Sequence, residues 1–144
     1  MDIPNTANDI RFTWEPSLSV GDEKLDNQHK QLLNQVNSVL EAIAGGKNNL
    51  LAIGESLKFL DRYIDEHFLD EEQYMQAHQY PRFEEHRALH VEFIARYSEM
   101  KSRVLAFDST DKVLLDLENH LARWWIDHIG KADKDYAQYV KAHS

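Results

Sequence analysis

Apolar side chains recur at intervals of three and four residues along most of the chain, the spacing that gathers them on one face of an α-helix. Four stretches with this pattern are predicted to be helices, covering about residues 22–44, 49–76, 82–105 and 112–129. Gly45 and Gly46 end the first stretch, a turn sequence at 108–111 precedes the fourth, and Gly130 follows it. No stretch of the sequence alternates between apolar and polar residues over the length of a typical strand. The pattern therefore predicts an all-α fold.

Four amphipathic helices joined by short loops favour an up-down-up-down antiparallel four-helix bundle. The bundle is expected to occupy residues 22–130 of a single domain that spans 1–144. An N-terminal arm, residues 1–21, shows no periodicity, and Trp14 is its expected anchor on the bundle. The tail, residues 131–144, has Tyr136, Tyr139 and Val140 at helical spacing and is predicted to form a short C-terminal helix.

Composition narrows the classes of function. The chain has 144 residues, the size of one ordinary domain. It has no cysteine, which excludes disulfides, thiolate-bound zinc, iron–sulfur clusters and a cysteine nucleophile. Its formal net charge of −9 repels phosphate backbones and argues against nucleic-acid binding. No apolar run approaches the roughly 18 residues that cross a membrane, and the N-terminus lacks a secretory signal pattern, so we expect a cytoplasmic protein without membrane insertion.

Histidines interrupt the apolar seam of every predicted helix, and the second helix adds a carboxylate. These residues are His29, His67, Glu71, His86, His90 and His128. In an antiparallel bundle the starts of the first and third helices lie beside the ends of the second and fourth, so these positions fall in one layer. A buried carboxylate needs a partner, and no lysine or arginine occupies the inner stripes at this level. A metal cation is the natural partner, so we predict a metal site in this layer.

The donor types indicate which metals could bind. His86 and His90 are four residues apart, as are His67 and Glu71, so each pair points to the same side of its helix. Nitrogen and oxygen donors without sulfur suit iron, zinc, manganese, nickel or copper. More donors converge than one tetrahedral ion needs, which favours two ions bridged by a carboxylate.

A second acid could complete the site. Asp133 follows His128 by five residues, which in a regular α-helix turns it about 140° away from the histidine. It faces the core only if the helix widens or breaks near Gly130. Spacing alone therefore leaves the role of Asp133 open.

Four short motifs follow one another along the chain. They are Asp26-x-x-His29, His67-Phe68-x-x-Glu71-Glu72-x-x-Met75, His86-x-x-x-His90 and Trp124-x-x-x-His128-Ile129-x-x-x-Asp133. This pattern resembles the hemerythrin family, and within it the single-domain bacteriohemerythrins. The resemblance extends from Trp14 to Asp133, and all seven positions that bind metal in the family hold the expected residue type.

The resemblance implies an oxygen-binding protein, not an enzyme, with a non-haem di-iron centre. One iron would be held by three histidines, His86, His90 and His128. The other would be held by two, His29 and His67, and would keep an open position for O₂. Glu71 and Asp133 would bridge the irons together with an oxo or hydroxo group. O₂ would bind reversibly at the open position and rest there at the peroxide level, for transport, storage or delivery.

Three aromatic residues are expected to surround the bound O₂. Phe68, Trp124 and Trp125 would line a dry pocket that keeps water from displacing it. The family usually has leucine at the position of Trp125. We therefore expect the larger ring of Trp125 to alter the kinetics of O₂ binding.

Other functions remain open on the sequence alone. Sensing of O₂, redox state or NO, or a weak peroxidase or oxidase activity, could use the same di-iron site. A ferritin-like oxidase is disfavoured because no Glu-x-x-His motif occurs. A structural zinc protein is a further alternative, although no His-Glu dipeptide exists to begin a zinc hydrolase motif. The remaining histidines, His78, His120 and His143, are predicted to lie at the surface or in loops.

Overall fold

The computed structural model describes residues 12–106 and 111–143. Its four main helices are α1 (Glu23–Ile43), α2 (Leu50–Ala77), α3 (Phe83–Leu105) and α4 (Asp111–Arg123). Short 3₁₀ turns at Pro16–Leu18 and Gly46–Asn49 precede α1 and α2. No strand occurs within these residues, and none of the helices there is long and apolar enough to cross a membrane. The predicted turn at 108–111 lies outside the described residues except for Asp111.

The helices begin and end where local chemistry favours it. The Asp22 carboxylate accepts a hydrogen bond of 3.0 Å from the backbone N–H of Leu25 and so caps the start of α1. Beyond the end of α2, Gln79 adopts a left-handed conformation with φ of 54°. The N–H of Tyr80 then bonds back to the carbonyl of Met75 at 2.9 Å, which is a Schellman motif. This turn places the ring of Tyr80 over the end of the bundle.

The four helices form the predicted antiparallel bundle. Each helix contacts its neighbours in the order α1–α2–α3–α4, and α4 returns to contact α1. Apolar side chains from all four helices fill a long main core. A second, smaller group of buried apolar side chains closes one end of the bundle. This group, called the end cluster below, consists of Val20, Leu25, Met75, Tyr80 and Tyr136.

The fourth helix does not end near Ile129 as predicted. It continues as a π-helical segment, Trp124–Ala132, and then as α5 (Asp133–Ala142). The N–H of Asp133 bonds to the carbonyl of His128, so residues five apart lie one turn apart. Space does not require glycine at position 130, because a Cβ built there would meet nothing closer than 3.8 Å. The predicted C-terminal helix is therefore a continuation of the fourth helix.

The described part of the N-terminal arm packs on the bundle beside α1. Trp14 contacts the main core as expected, and the ammonium group of Lys30 lies 5.2 Å above its ring. Phe12 is the more deeply buried anchor. Its backbone exchanges two hydrogen bonds with the side chain of Asn37, and its ring lies 6.2 Å from that of Trp125.

Candidate metal centre

The structure brings all seven predicted ligand residues together in one buried layer. None of them is more than 5% exposed. They are His29 from α1, His67 and Glu71 from α2, His86 and His90 from α3, His128 from the π-helical segment, and Asp133 from the start of α5. The layer lies between the main core and the end cluster, so apolar side chains cover it on both sides.

The donor atoms separate into two groups, each compact enough to surround one metal ion. Within each group the ligand atoms lie within 4.8 Å of one another. The first group is Glu71, His86, His90 and His128, and the second is His29, His67, Glu71 and Asp133. The site is therefore unequal, with three histidines on one side and two on the other.

Each carboxylate reaches both groups. The Oε1 of Glu71 lies 3.0 Å from the Nε2 of His86 and 2.9 Å from that of His90, while its Oε2 lies 3.1 Å from the Nε2 of His67. Asp133 presents Oδ1 to His128 at 3.1 Å and Oδ2 to His29 at 3.1 Å. The π-helical widening thus turns Asp133 into the core. Both acids are placed as a bridge between two cations requires.

Hydrogen bonds outside the layer fix two of the imidazole rings. The Nδ1–H of His67 donates to the Oε1 of Gln28 at 2.9 Å, and the Nδ1–H of His90 donates to Glu72 at 2.8 Å. A neutral ring that donates from Nδ1 carries its lone pair on Nε2. Those lone pairs then face the carboxylate oxygens of Glu71 at 3.1 Å and 2.9 Å. An imidazole lone pair and a carboxylate oxygen are both hydrogen-bond acceptors and repel each other. The layer therefore needs positive charge between these atoms.

Protons supply that charge when no cation does. Burial lowers the pKa of His29 and His128, but the neighbouring carboxylates of Asp133 and Glu71 outweigh it and raise these pKa values to about 9 and about 10. Burial acts in the opposite sense on both acids, yet the surrounding histidines hold the pKa of each below its ordinary value. Burial dominates at His67, whose pKa is lowered, so this ring stays neutral and available to a metal.

These shifts predict that the metal-free protein loses stability as the pH rises. From pH 6.5 towards 9, folded His29 and His128 keep protons that the unfolded chain releases. The free energy of unfolding should fall by up to about 1.4 kcal/mol per pH unit for each histidine. Urea unfolding of chelator-treated protein over this range measures the slope. The metal-loaded protein, in which cations replace these protons, serves as the control, and equal slopes would contradict the interpretation.

Tyr136 is a residue of the site that the sequence analysis did not identify. Its hydroxyl donates to the Oε2 of Glu71 at 2.9 Å, and the residue is fully buried. Burial, followed by the negative charges of Glu71 and Asp133, raises the pKa of Tyr136 well above its usual value, so the hydroxyl keeps its proton. The available signal was its position three residues after Asp133, which places both side chains on one helical face.

Two of the three predicted pocket residues contact the ligand histidines. The ring of Phe68 stacks on His90 with centroids 3.8 Å apart, and Trp124 stacks on His128 at 5.8 Å. Trp125 is buried in the main core, where its aromatic neighbour among the described residues is Phe12. The structure therefore places Trp125 beneath the N-terminal arm.

The three unassigned histidines have different environments. His78 and His143 are exposed, as predicted. His120 is half-buried and not in a loop: it lies on α4 with its ring stacked on Phe93, the centroids 4.8 Å apart. Its spacing after Leu117 and before Trp124 is helical and could have placed it next to the core.

The Glu72 hydrogen bond predicts an effect on metal affinity. Glu72→Ala removes the acceptor that orients His90, and partners of this kind typically contribute 10–100-fold, so we expect the apparent affinity for metal to fall by roughly that factor. Titration against a competing chelator measures the change. Glu66→Ala, on the exposed face of the same helix, is the matched control. Equal affinities in the two variants would show that Glu72 does not support the site.

Comparison with known proteins agrees with this geometry. The family model described as the hemerythrin HHE cation binding domain matches residues 20–140. A bacteriohemerythrin from Stenotrophomonas maltophilia is 31% identical over 132 residues, which cover 92% of this chain and 83% of that protein. A myohemerythrin from Theromyzon tessulatum is 26% identical, with 87% of this chain and 90% of that protein aligned.

A solved structure shares the fold as well. The crystal structure of a leucine-to-tyrosine mutant of hemerythrin superimposes with a TM-score of 0.77 at 27% identity, covering 90% of this chain and 96% of that one. A leucine-to-phenylalanine mutant structure matches equally well. The family model covers most of the chain, and the buried histidine and carboxylate groups lie within its limits. The chain is therefore a member of the hemerythrin family.

Proposed function

We propose that the chain binds O₂ reversibly at a pair of irons and serves, in the cytoplasm, as an oxygen carrier or store and not as an enzyme that consumes O₂. The observation that carries this proposal is the unequal division of the site. Two carboxylates are shared, but one side has three histidines and the other has two. If both carboxylates bridge the two sides equally, the two-histidine side has one donor fewer than the other. A small ligand could therefore bind on the two-histidine side.

The donor set fits iron. Five imidazoles and two carboxylates, with no sulfur, suit the ferrous and ferric ions. In this proposal His86, His90 and His128 hold one iron, His29 and His67 hold the other, and Glu71 and Asp133 bridge them. A pair of irons bound there would supply the electrons and the vacant coordination position that O₂ binding requires.

Side chains around the layer control access of water. Phe68 lies against His90, and Trp124 lies against His128, so apolar rings cover these two ligands. Tyr136 covers the opposite side and holds the Oε2 of Glu71 by its hydrogen bond. A dry, preorganised surrounding of this kind favours release of O₂ unchanged over loss of a reduced oxygen species to water.

Metal counting and visible spectroscopy test the proposal together. The purified chain is loaded anaerobically with ferrous iron, its metals are counted, and spectra are recorded as O₂ is admitted and removed. We expect two irons per chain and a visible charge-transfer band that appears with O₂ and disappears without it. A single zinc ion and no colour would overturn the proposal.

Trp125 offers a test of the surroundings of the site. Trp125→Leu removes a large ring that packs between the core and Phe12, and the cavity left behind should loosen this side of the bundle. We expect faster O₂ association and faster autoxidation, measured by stopped-flow mixing and by decay of the visible band. Trp14→Leu, which removes a half-buried ring of the arm itself, is the control. Unchanged rates in Trp125→Leu would leave Trp125 a packing residue only.

A further inference from the structure

The tyrosines of this chain are unevenly distributed. Four of the six lie at the end of the bundle that contains the candidate metal centre. This group, the tyrosine cluster, consists of Tyr74, Tyr80, Tyr136 and Tyr139. The ring of Tyr136 lies 5.8 Å from that of Tyr74 and 6.4 Å from that of Tyr80, and Tyr80 lies 5.5 Å from Tyr139. The rings therefore form a continuous series of near neighbours.

The series runs from the site to the surface. Tyr136 is fully buried, Tyr80 is 7% exposed, and Tyr74 and Tyr139 are half-buried. Each half-buried tyrosine has an exposed imidazole against its ring, His78 at 4.4 Å from Tyr74 and His143 at 4.0 Å from Tyr139. The outer tyrosines thus meet water and an exposed imidazole ring.

Only the inner end of the series touches the site. The Tyr136 hydroxyl donates to Glu71, whose two oxygens face the two histidine groups. A phenol that loses an electron also loses its proton, and the hydrogen bond to Glu71 places this phenol at the edge of the site. Phenylalanine would fill the same apolar volume without the cost of burying a hydroxyl, so packing alone does not account for tyrosine here.

We propose that the tyrosine cluster conducts electrons from the protein surface to the metal centre during reduction of hydrogen peroxide there, which gives the chain a peroxidase activity. This inference rests on the proposed di-iron function and extends it. An electron and a proton would leave Tyr136 together for the peroxide that is reduced at the centre. Tyr80 or Tyr74 would then restore Tyr136 with an electron and a proton, and Tyr139 would restore Tyr80 in the same way.

The reaction balances without any further oxidant. Hydrogen peroxide takes up two electrons and two protons and yields two water molecules. Once the irons are ferric, two tyrosines supply these two electrons and two protons, and each tyrosine becomes a neutral tyrosyl radical. A small reductant such as ascorbate then gives two electrons and two protons to the radicals, restores both tyrosines and becomes dehydroascorbate.

A second aromatic route to the site exists and has to be distinguished. Trp124 stacks on His128, and its ring lies 4.9 Å from Phe93 in the main core. Trp124 lines an open cavity next to His128, so this route reaches solvent through a single ring. The tyrosine cluster, in contrast, offers several oxidisable rings in series. A radical on tryptophan in place of tyrosine would therefore contradict the proposal.

The test begins with protein shown to hold two irons and to bind O₂ reversibly. Samples of the ferric protein are mixed with hydrogen peroxide, frozen within seconds and examined by electron paramagnetic resonance. We expect a tyrosyl signal that is lost in Tyr136→Phe and kept in Tyr63→Phe. Tyr63 is the matched control because it packs against the main core, away from the cluster. Iron content is measured in both variants.

Variants of the outer tyrosines can still test the proposal if Tyr136→Phe fails to take up iron. The substitution Tyr139→Phe changes a side chain that does not contact a ligand residue. In this variant we expect ascorbate to reduce the radical more slowly. We also expect dityrosine cross-links at the surface, which mass spectrometry locates, to be lost. A chain that binds no iron overturns the proposed function and this inference with it. A chain that binds two irons and O₂ but forms no tyrosyl radical, or forms it equally in Tyr136→Phe, overturns this inference alone.

Discussion

Glu71→Gln is expected to leave the chain unable to hold a metal pair, with iron content falling from two per chain to one or none. Glutamine has nearly the same shape, but one of its two terminal groups is an NH₂ that donates hydrogen bonds. The Glu71 oxygens face different histidine groups, at 3.0 Å from His86 and 3.1 Å from His67. Whichever way the neutral amide turns, one group faces an NH₂ in place of an oxygen ligand.

The charge change adds to this effect. The variant loses one of the two buried negative charges that would offset two cations, and an uncompensated buried charge is costly. Elemental analysis after anaerobic loading and gel filtration measures the result. Glu66→Gln makes the same chemical change on an exposed position of the same helix and should retain both irons. Two irons in Glu71→Gln would show that this residue does not bridge.

Removal of the metals is expected to lower the melting temperature by roughly 5–10 °C, for a free metal concentration about 100 times the dissociation constant. A metal would bind only the folded arrangement, because its ligands come from α1, α2, α3, the π-helical segment and α5. Without it, the lone pairs and carboxylates of the layer repel one another unless protons are taken up.

Differential scanning calorimetry of loaded and chelator-treated protein measures this shift at fixed pH. Returning ferrous iron under nitrogen should restore the higher melting temperature, which separates metal loss from damage by the chelator. The Glu71→Gln variant should melt at one temperature with or without chelator. A wild-type melting temperature that does not respond to the chelator would mean that the layer is held together without metal.

Much of the site could be predicted because the level of a residue in an antiparallel bundle follows from its distance along the sequence from the end of its helix. His29, His67, His86, His90 and His128 interrupt apolar seams at matching distances from the helix ends, and the structure brings them together. Asp133 could not be placed in this way, since its position depends on a π-helical turn that apolar periodicity does not reveal. The family resemblance, and not the spacing, was what included it among the expected ligands.

Other features depend on information that the sequence pattern does not carry. A single aromatic residue in an arm without periodicity gives no pattern, so the burial of Phe12 is visible only in the structure. The helical spacing of Leu117, His120 and Trp124 indicates the half-buried position of His120 only when the histidine is counted with the apolar stripe. Hydrogen bonds such as that between Gln28 and His67 join side chains of different helices, so they appear only once the helices are packed.

The outer partners of the two fixed rings differ in charge. His90 donates to a carboxylate, Glu72, whereas His67 donates to the neutral amide of Gln28, which in turn donates to Asp70 at 2.6 Å. A carboxylate partner makes an imidazole a stronger base and a better electron donor than an amide partner does. The two halves of the site are therefore electronically unequal, and a cation of higher charge gains most from the half that contains His90.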